Sequence, residues 1–338
     1  MAIRVVLAGV GARGREWARA LRSHPGFELA GIVDPNETLL AKAGLDFEVA
    51  AGGCHQDLGE AVERVRPSAL LIATPENAHI SPVSLALERK IPLLVEKPLT
   101  LRLGDSVDLV RRAQQAGVPM VVGQNYRYMR AHRTVRKMVH EGRLGKVGMI
   151  VAQYFRPPHP MTPVLESLRD RILYGPTIHH IDAMRWVLGQ EVTAVSAETF
   201  RMPWGDPPPG SSVRAHLTFD GGARANYVAT YESTGHQFFE GGQEFYERVV
   251  GERGTLHVFH RWLFLCEGKK LPRPIARGGR PVTEESLLLD QLGGAMLDGE
   301  TPSCSGEDHL KTMAVLEAII VSSEQSRTID PRELVREQ

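Results

Sequence analysis

The chain is poor in the features that mark several protein classes. Only three cysteines occur in 338 residues, Cys54, Cys266 and Cys304, and none lies in a CxxC or zinc-finger spacing. That sets aside a disulfide framework and leads us to expect free thiols in a reducing, cytoplasmic setting. There is no HExxH pair, and the adjacent His179 and His180 would project to different faces of a helix, so no metal site is expected. Apolar runs stay below the roughly 18 residues that a membrane span requires. The opening residues, MAIRVVLAGVGARGRE, enter a glycine-rich loop too soon for a secretory signal. Neither sign of charge dominates, since 40 Lys plus Arg balance 40 Asp plus Glu. Nucleic acid and anionic membranes are poor partners for such a chain. What remains is enough length for two domains with substantial cores.

What is present is organised around residues 91–99, IPLLVEKPL. An apolar run closed by Glu96, Lys97 and Pro98 predicts a buried, parallel strand. Pro98 cannot donate to a ladder and restricts Lys97 to extended backbone. Glu96 and Lys97 point to opposite sides of such a strand. A lysine at the carboxyl end of a parallel strand stands where α/β sheets bind ligands, although alone it reads as an ordinary solvated strand end.

The surrounding pattern changes that balance. Residues 3–8 read as a buried strand running straight into Gly9-Val10-Gly11-Ala12-Arg13-Gly14 and then a helix through about residue 21. In this GxGxxG arrangement glycines permit a tight turn and close backbone approach, and the helix start offers N–H groups to a pyrophosphate. The next strand, 27–33, ends at Asp34, about 20 residues past the last glycine, where a carboxylate can take the ribose hydroxyls of NAD and would repel the 2′-phosphate of NADP. NAD is therefore favoured over NADP. Asp57 followed by Glu60 predicts a capped helix that Pro67 ends. Strands at 69–73, 91–95 and 118–122 alternate with helices at 78–89 and 104–116. The first domain, 1–123, is thus expected to be α/β, a doubly wound parallel sheet of the Rossmann type.

GxGxxG, Asp34, Thr74-Pro75-Glu76-Asn77-Ala78-His79 and Glu96-Lys97-Pro98, in one order and at suitable spacings, resemble the Gfo/Idh/MocA family of nicotinamide-dependent oxidoreductases. The resemblance extends over nearly the whole chain. It implies that Lys97 reaches both nicotinamide ribose and substrate, and that Thr74, Pro75, His79 and Glu96 line the cofactor beside the glycine loop (Gly9, Gly11, Ala12, Arg13, Gly14). Asn125 joins this cofactor-binding set. The family usually has Asn directly after the Thr-Pro, whereas here Glu76 intervenes.

The second domain, 124–338, is expected to be α+β, with a large, mostly antiparallel sheet built from strands near 147–155, 192–200, 213–219, 223–231 and 255–259. One face of such a sheet can pair with a second copy, and the resemblance implies a homodimer or homotetramer. Its chemical segment is Tyr174-Gly175-Pro176-Thr177-Ile178-His179-His180-Ile181-Asp182. Pro176 suits a helix start and Gly189 its end. His179 in a first turn would be kept neutral by the helix dipole and able to accept a proton, with Asp182 one turn on. A lone histidine there is ordinarily a core residue, and His180 is read so. For His179 the family's HxxD pattern implies catalysis together with Lys97 and Asp182. The family often carries an Asp four residues before this His; here Gly175 stands there, so the proton relay is incomplete, or Asp182, Asp170 or Glu166 replaces the missing group. Tyr126, Arg127 and Tyr154, with Lys97 and His179, form the expected substrate-binding set, although Arg127 reads equally as a structural ion pair. The polar segment from Gln153 through Arg156, His159, Glu166, Arg169 and Asp170 to Tyr174, and a glycine-rich stretch at 233–242, are further candidates for contacting a sugar or cyclitol.

The function expected is hydride transfer between a nicotinamide and a secondary hydroxyl or ketone of a sugar, sugar derivative or cyclitol. Two alternatives stand beside it: a redox-assisted lyase or glycosidase retaining its NAD, and a catalytically silent NAD-binding sensor.

Overall fold

The structure, a computed structural model, describes residues 2–158, 161–205, 210–235, 246–259, 262–276 and 282–338. The chain forms two compact units, Met1–Asn125 with Val282–Leu310, and Tyr126–Pro281 with Lys311–Gln338. The first unit takes back a late segment that a single cut after residue 123 assigns to the second.

Six parallel strands build the first unit: β1 (Ile3–Ala8), β2 (Phe27–Val33), β3 (Cys54–His55), β4 (Ala69–Ile72), β5 (Leu93–Val95) and β6 (Met120–Val122), in the order β3-β2-β1-β4-β5-β6. Helices α1 (Ala12–Ser23), α2 (Glu37–Asp46), α3 (Leu58–Val65), α4 (Ile80–Glu88) and α5 (Leu103–Ala116) alternate with them. The strands are apolar on both faces, as a sheet covered on two sides requires. Val6, Val33, Leu70, Ile72, Val95 and Val122 join one buried cluster with residues of α3, α4 and α5. Asp57 caps α3 by accepting from the Glu60 N–H at 2.8 Å, as the sequence pattern predicts. Strand order reverses between β1 and β4, so their carboxyl ends flank a topological switch point. Helix α9 (Glu284–Leu297) belongs to this unit and packs on β5, β6 and α1.

An eight-stranded sheet dominates the second unit. Its strands are β7 (Val147–Phe155), β8 (Val192–Phe200), β9 (Ser212–Phe219), β10 (Arg224–Thr230), β11 (Tyr246–Gly251), β12 (Gly254–Phe259), β13 (Trp262–Cys266) and β14 (Arg273–Pro274). The order is β14-β13-β12-β11-β7-β10-β9-β8, and only the β7–β10 pair is parallel. Helix α6 (Arg130–His140) packs against α8 (Ile178–Leu188), which follows the short α7 (Pro163–Ser167). Helices α10 (Gly306–Gln325) and α11 (Pro331–Arg336) close the chain, and the division between units falls within α10. Among the described residues no helix is long and apolar enough to cross a membrane, and no group of three or more His, Cys, Asp or Glu is placed to hold a metal ion.

The buried face of this sheet holds a carboxyl group. Glu247 on β11, opposite Val258 and Ala152, is 1% exposed, and its Oε2 has no hydrogen-bond partner among the described residues. Burial pushes its carboxyl up to about 7. The folded chain therefore keeps this proton at pH values where the unfolded chain has released it. Stability from this group is present below the ordinary glutamate value and is lost as pH rises through about 7. Glu247→Gln should unfold in urea with a free energy that declines less steeply between about pH 5 and about pH 8 than that of the unmodified chain.

Candidate functional site

The first unit gathers most of the expected cofactor residues at the carboxyl ends of β1, β2, β4 and β5. Gly9 adopts a φ of 90°, and a Cβ there would lie 2.7 Å from the Ala73 carbonyl carbon and 2.9 Å from the Thr74 nitrogen. The loop thus lies directly against the turn after β4, an approach only glycine permits. A Cβ on Gly14 would lie 2.8 Å from the Gly9 carbonyl carbon, so the loop also closes on itself. Gly11 faces open space, and α1 begins there with no side-chain cap and no acidic residue in its first turn. The N–H groups of that turn are left for an anion. Asp34 is held by two backbone donors, Val10 N–H on Oδ2 at 3.0 Å and Asn36 N–H on Oδ1 at 2.9 Å. Its carboxylate is thereby fixed beside the loop. Thr74 Oγ1 is buried without a hydrogen-bond partner among the described residues, and it too lies in the turn against which Gly9 packs. Open loop, uncapped helix, anchored acid and orphaned hydroxyl all fit an NAD molecule.

Three of the expected cofactor residues also hold the cradle together. Glu96 Oε1 accepts from Arg13 Nε at 2.6 Å and from Trp17 Nε1 at 2.7 Å, so the end of β5 is tied to α1. Arg13 also reaches Glu16 at 2.6 Å and Glu285 at 2.7 Å, which commits its guanidinium to three carboxylates. His79, fully buried, spans between the Pro98 carbonyl at 2.9 Å and the Thr74 carbonyl at 3.0 Å. Its ring braces the Thr74-Pro75 turn against the Lys97-Pro98 segment. The side chains of Arg13, Glu96 and His79 thus brace the glycine loop and the Thr74-Pro75 turn. Trp17 and Glu285 escaped sequence reasoning, because neither lies in a recognisable motif. Asn125 opens a tight helical turn, Asn125–Tyr128, and is partly buried.

Lys97 follows Glu96 beyond β5 and is partly buried. Burial lowers its ammonium below the usual lysine range, against the pull of Glu96 and Glu76.

The second unit carries the other expected group. The His179 ring stacks on Tyr126, with centroids 4.2 Å apart and planes 12° from parallel. His179 does not stand in a first turn. The helical backbone begins near residue 171, passes through a π-helical turn at Leu173–Thr177 that contains Pro176, and continues as α8. Pro176 is therefore inside the helix, where the wider turn tolerates its missing N–H, and the dipole argument for a neutral His179 no longer applies. Such π-turns often occur at functional sites.

Arg127 and Asp182 were expected to contact substrate and to assist catalysis. Both are buried, and Arg127 Nε and Nη2 each donate to Asp182 at 2.5 Å. Asp182 also accepts from Thr312 Oγ1 at 3.0 Å, and Arg185 links the same threonine, at 2.7 Å, to Glu191. The structural reading of Arg127 is the one the geometry favours. The pair fastens α8 to the Asn125–Tyr128 turn, and so holds His179 on Tyr126.

His180 is core, as read from sequence: its Nδ1 lies 2.7 Å from the Tyr227 hydroxyl, and burial drives its pKa down. The Tyr154 ring lies 5.2 Å from His180, and its hydroxyl accepts from Arg156 at 3.4 Å. Glu166 accepts from the Met161 N–H at 3.3 Å. Asp170 is buried, and burial raises its pKa. His159 and residues 236–242 lie outside the described residues.

Comparison with known proteins decides the family. Residues 3–124 match the oxidoreductase family with the NAD-binding Rossmann fold, and residues 132–257 match the GFO/IDH/MocA C-terminal domain. The chain belongs to the Gfo/Idh/MocA oxidoreductase family. Its first unit carries that family's NAD-binding Rossmann domain. A D-apiose dehydrogenase of Paraburkholderia graminis is 25% identical over 345 residues, covering 98% of this chain and 90% of the relative. An inositol 2-dehydrogenase of Saccharopolyspora erythraea is 30% identical over 198 residues, 57% of this chain and 56% of the relative. An oxidoreductase from Agrobacterium radiobacter, solved in complex with NAD+, L-tartaric acid and magnesium, shares the fold with a TM-score of 0.86 at 23% identity, over 99% of this chain and 100% of that one.

Truncating Asp182 would leave the Arg127 guanidinium buried without its main partner. Asp182→Ala should cost about 3 kcal/mol or more in urea unfolding. The double variant Arg127→Met/Asp182→Leu should lose less than Asp182→Ala alone.

Proposed function

We propose that the protein oxidises a secondary hydroxyl of a sugar, sugar derivative or cyclitol, or reduces the matching ketone, with Lys97 and His179 as its catalytic residues. The observation that carries this reading is Lys97 itself: a partly buried ammonium set directly behind Glu96, whose carboxylate is tied to the helix that follows the glycine loop. Likeness to the D-apiose dehydrogenase over almost the full chain supports a polyol as substrate. Gly9, Gly11, Gly14, Asp34 and the Thr74-Pro75 turn would hold NAD. When bound, NAD supplies the hydride acceptor.

In the oxidative direction His179 takes the proton of the substrate hydroxyl. Lys97, as the ammonium, donates a hydrogen bond that steadies developing negative charge. The stack on Tyr126 fixes the plane of the imidazole. Asp182 acts through Arg127, as a positioning residue, and takes no proton. Asp34 favours NAD over NADP by charge. Exposed Met149, Val228 and Trp262 lie on the sheet face opposite to that of Ile150, Tyr227 and Leu263, which supports pairing with a second copy across that face.

A panel of sugars and cyclitols, D-apiose and inositols included, should show reduction of NAD followed by absorbance. Lys97→Ala should lower kcat by about a hundredfold or more while the NAD dissociation constant stays within about threefold. Because burial depresses the Lys97 pKa, the ammonium is lost at lower pH than for a free lysine. kcat/KM should therefore fall on the alkaline side below the ordinary lysine range, and Lys97→Ala should abolish that limb. Turnover by Lys97→Ala equal to that of the parent would end the assignment.

A further inference from the structure

The backbone just beyond Lys97 is gripped by two buried imidazoles. The peptide group that joins Pro98 to Leu99 has its carbonyl on Pro98 and its N–H on Leu99. The carbonyl accepts from His79 Nδ1 at 2.9 Å. The N–H donates to His309 Nε2 at 3.3 Å. His309 comes from α10, 210 residues further along the chain. Strand β6 places it there. Val122 N–H donates to the Cys304 carbonyl at 2.9 Å, which sets the start of α10, and His309 N–H bonds to the Ser305 carbonyl at 2.9 Å within the first turn. Gln124, two residues past β6, meets the other ring nitrogen: its amide nitrogen lies 3.2 Å from His309 Nδ1. Leu99, Gln124 and His309 are all fully buried.

These two contacts decide where the ring proton sits. A nitrogen that accepts from a backbone N–H carries no proton, so the proton of the neutral ring is on Nδ1. Nδ1–H then needs an acceptor, and the Gln124 side chain has one to spare. Its Oε1 is buried with no hydrogen-bond partner among the described residues. Half a turn of the amide about its last bond brings Oε1 to Nδ1 and satisfies both groups. An imidazolium, or the other neutral tautomer, would aim an N–H at the Leu99 N–H.

We propose that His309, held in its Nδ1–H tautomer by Gln124, is a positioning residue for Lys97. With His79 it clamps the Pro98–Leu99 peptide group from both ends, and so sets where the Lys97 side chain leaves the backbone. The inference rests on the catalytic reading of Lys97 given above and adds the two residues that hold it. A peptide group bonded at its carbonyl alone can pivot on that bond. Bonded at both ends it cannot turn without leaving a buried donor or acceptor unmet, which is costly where no water can replace the partner. The clamp has value because a catalytic group displaced by about 1 Å loses much of its effect on the rate.

The test uses the whole protein and a polyol that it oxidises. His309→Gln keeps an acceptor for the Leu99 N–H, and His309→Met has the same length and none. His309→Met should lower kcat about tenfold or more while the NAD dissociation constant stays within about threefold, and His309→Gln should stay within about threefold of the parent in kcat. An effect that runs through Lys97 vanishes where Lys97 is gone. In the Lys97→Ala protein, His309→Met should therefore change the residual kcat by less than about twofold, while lowering Tm as much as it does in the parent. Proton–nitrogen correlation spectra of protein carrying isotope-labelled histidine, with His309 assigned by its absence from His309→Gln, should show a protonated Nδ1 and a bare Nε2. If His309→Met does not fold, Gln124→Met takes its place: it frees the ring to move its proton to Nε2, and should lower kcat in the parent but not in Lys97→Ala. A His309→Met enzyme within about twofold of the parent in kcat, or with the same loss in both backgrounds, would overturn the proposal and leave the reading of Lys97 standing. A protonated Nε2 on His309 would overturn the bond to Leu99 and the role built on it. Turnover by Lys97→Ala equal to that of the parent would remove the reading of Lys97, and this role of His309 with it.

Discussion

A buried ion pair constrains everything around His179. Arg127 and Asp182 have both left water, and each such transfer costs several kcal/mol before any partner is found. The cost is offset only when the geometry is good, and here it is: two parallel N–H donors meet the two carboxylate oxygens, and Thr312 adds a third bond to one of them. The pair then tolerates little movement. It joins a turn that carries Tyr126 to a helix that carries His179, so the two rings that stack are held through the two residues that pair. Neutral partners could supply the same packing. A charged pair makes misplacement expensive, because each ion would be left buried and unpaired.

The same logic operates in the first unit with different residues. Glu96 directly precedes Lys97, and its carboxylate is spent on Arg13 and Trp17 of the helix that starts at the glycine loop. His79 braces the segment from the other side, between Thr74 and Pro98. Lysine, loop and turn are thereby fastened to one another by polar groups that are buried or partly buried. Residues of the motif are, in the folded chain, among those that keep the ligand-facing backbone in place. A motif records which residue types must occur together and does not separate those that touch a ligand from those that hold the residues that do.

This separates what was legible in the sequence from what was not. The Rossmann half could be read almost element by element, because apolar runs buried on both faces alternate with helices bounded by caps such as Asp57 and stops such as Gly117. The sheet of the second unit was read incompletely. Strand β11 escaped because Glu247 puts a carboxyl on the buried face, which breaks the apolar-in, polar-out alternation that marks a half-buried strand. Strand β13 escaped for the opposite reason: Trp262 and Phe264 make its outer face apolar too. β3 is two residues long and exists only through its pairing with β2, so no local pattern announces it. Pro176 was read as a helix start because that is where an α-helix accommodates proline; a π-turn accommodates it elsewhere. The Arg127–Asp182 pair spans 55 residues of sequence, and no local signal distinguishes an arginine that binds substrate from one that binds a distant carboxylate.

The π-helical turn is where these threads meet. A helix that widens by one residue for a turn shifts everything after it around the axis relative to everything before it. In Leu173–Thr177 the widening coincides with a proline that donates no N–H and a glycine that offers no side chain, so the turn is short of its own internal support. Support comes from outside, from the hydroxyls of Tyr227 and Tyr231 on the sheet below. These contacts and the room the wider turn gives Pro176 hold the turn in place, and with it the residues that follow, His179 first among them. On this view the sheet does more than bury the helix. Its strand β10 sets the phase of α8, and the Arg127–Asp182 pair then locks that phase from the opposite end.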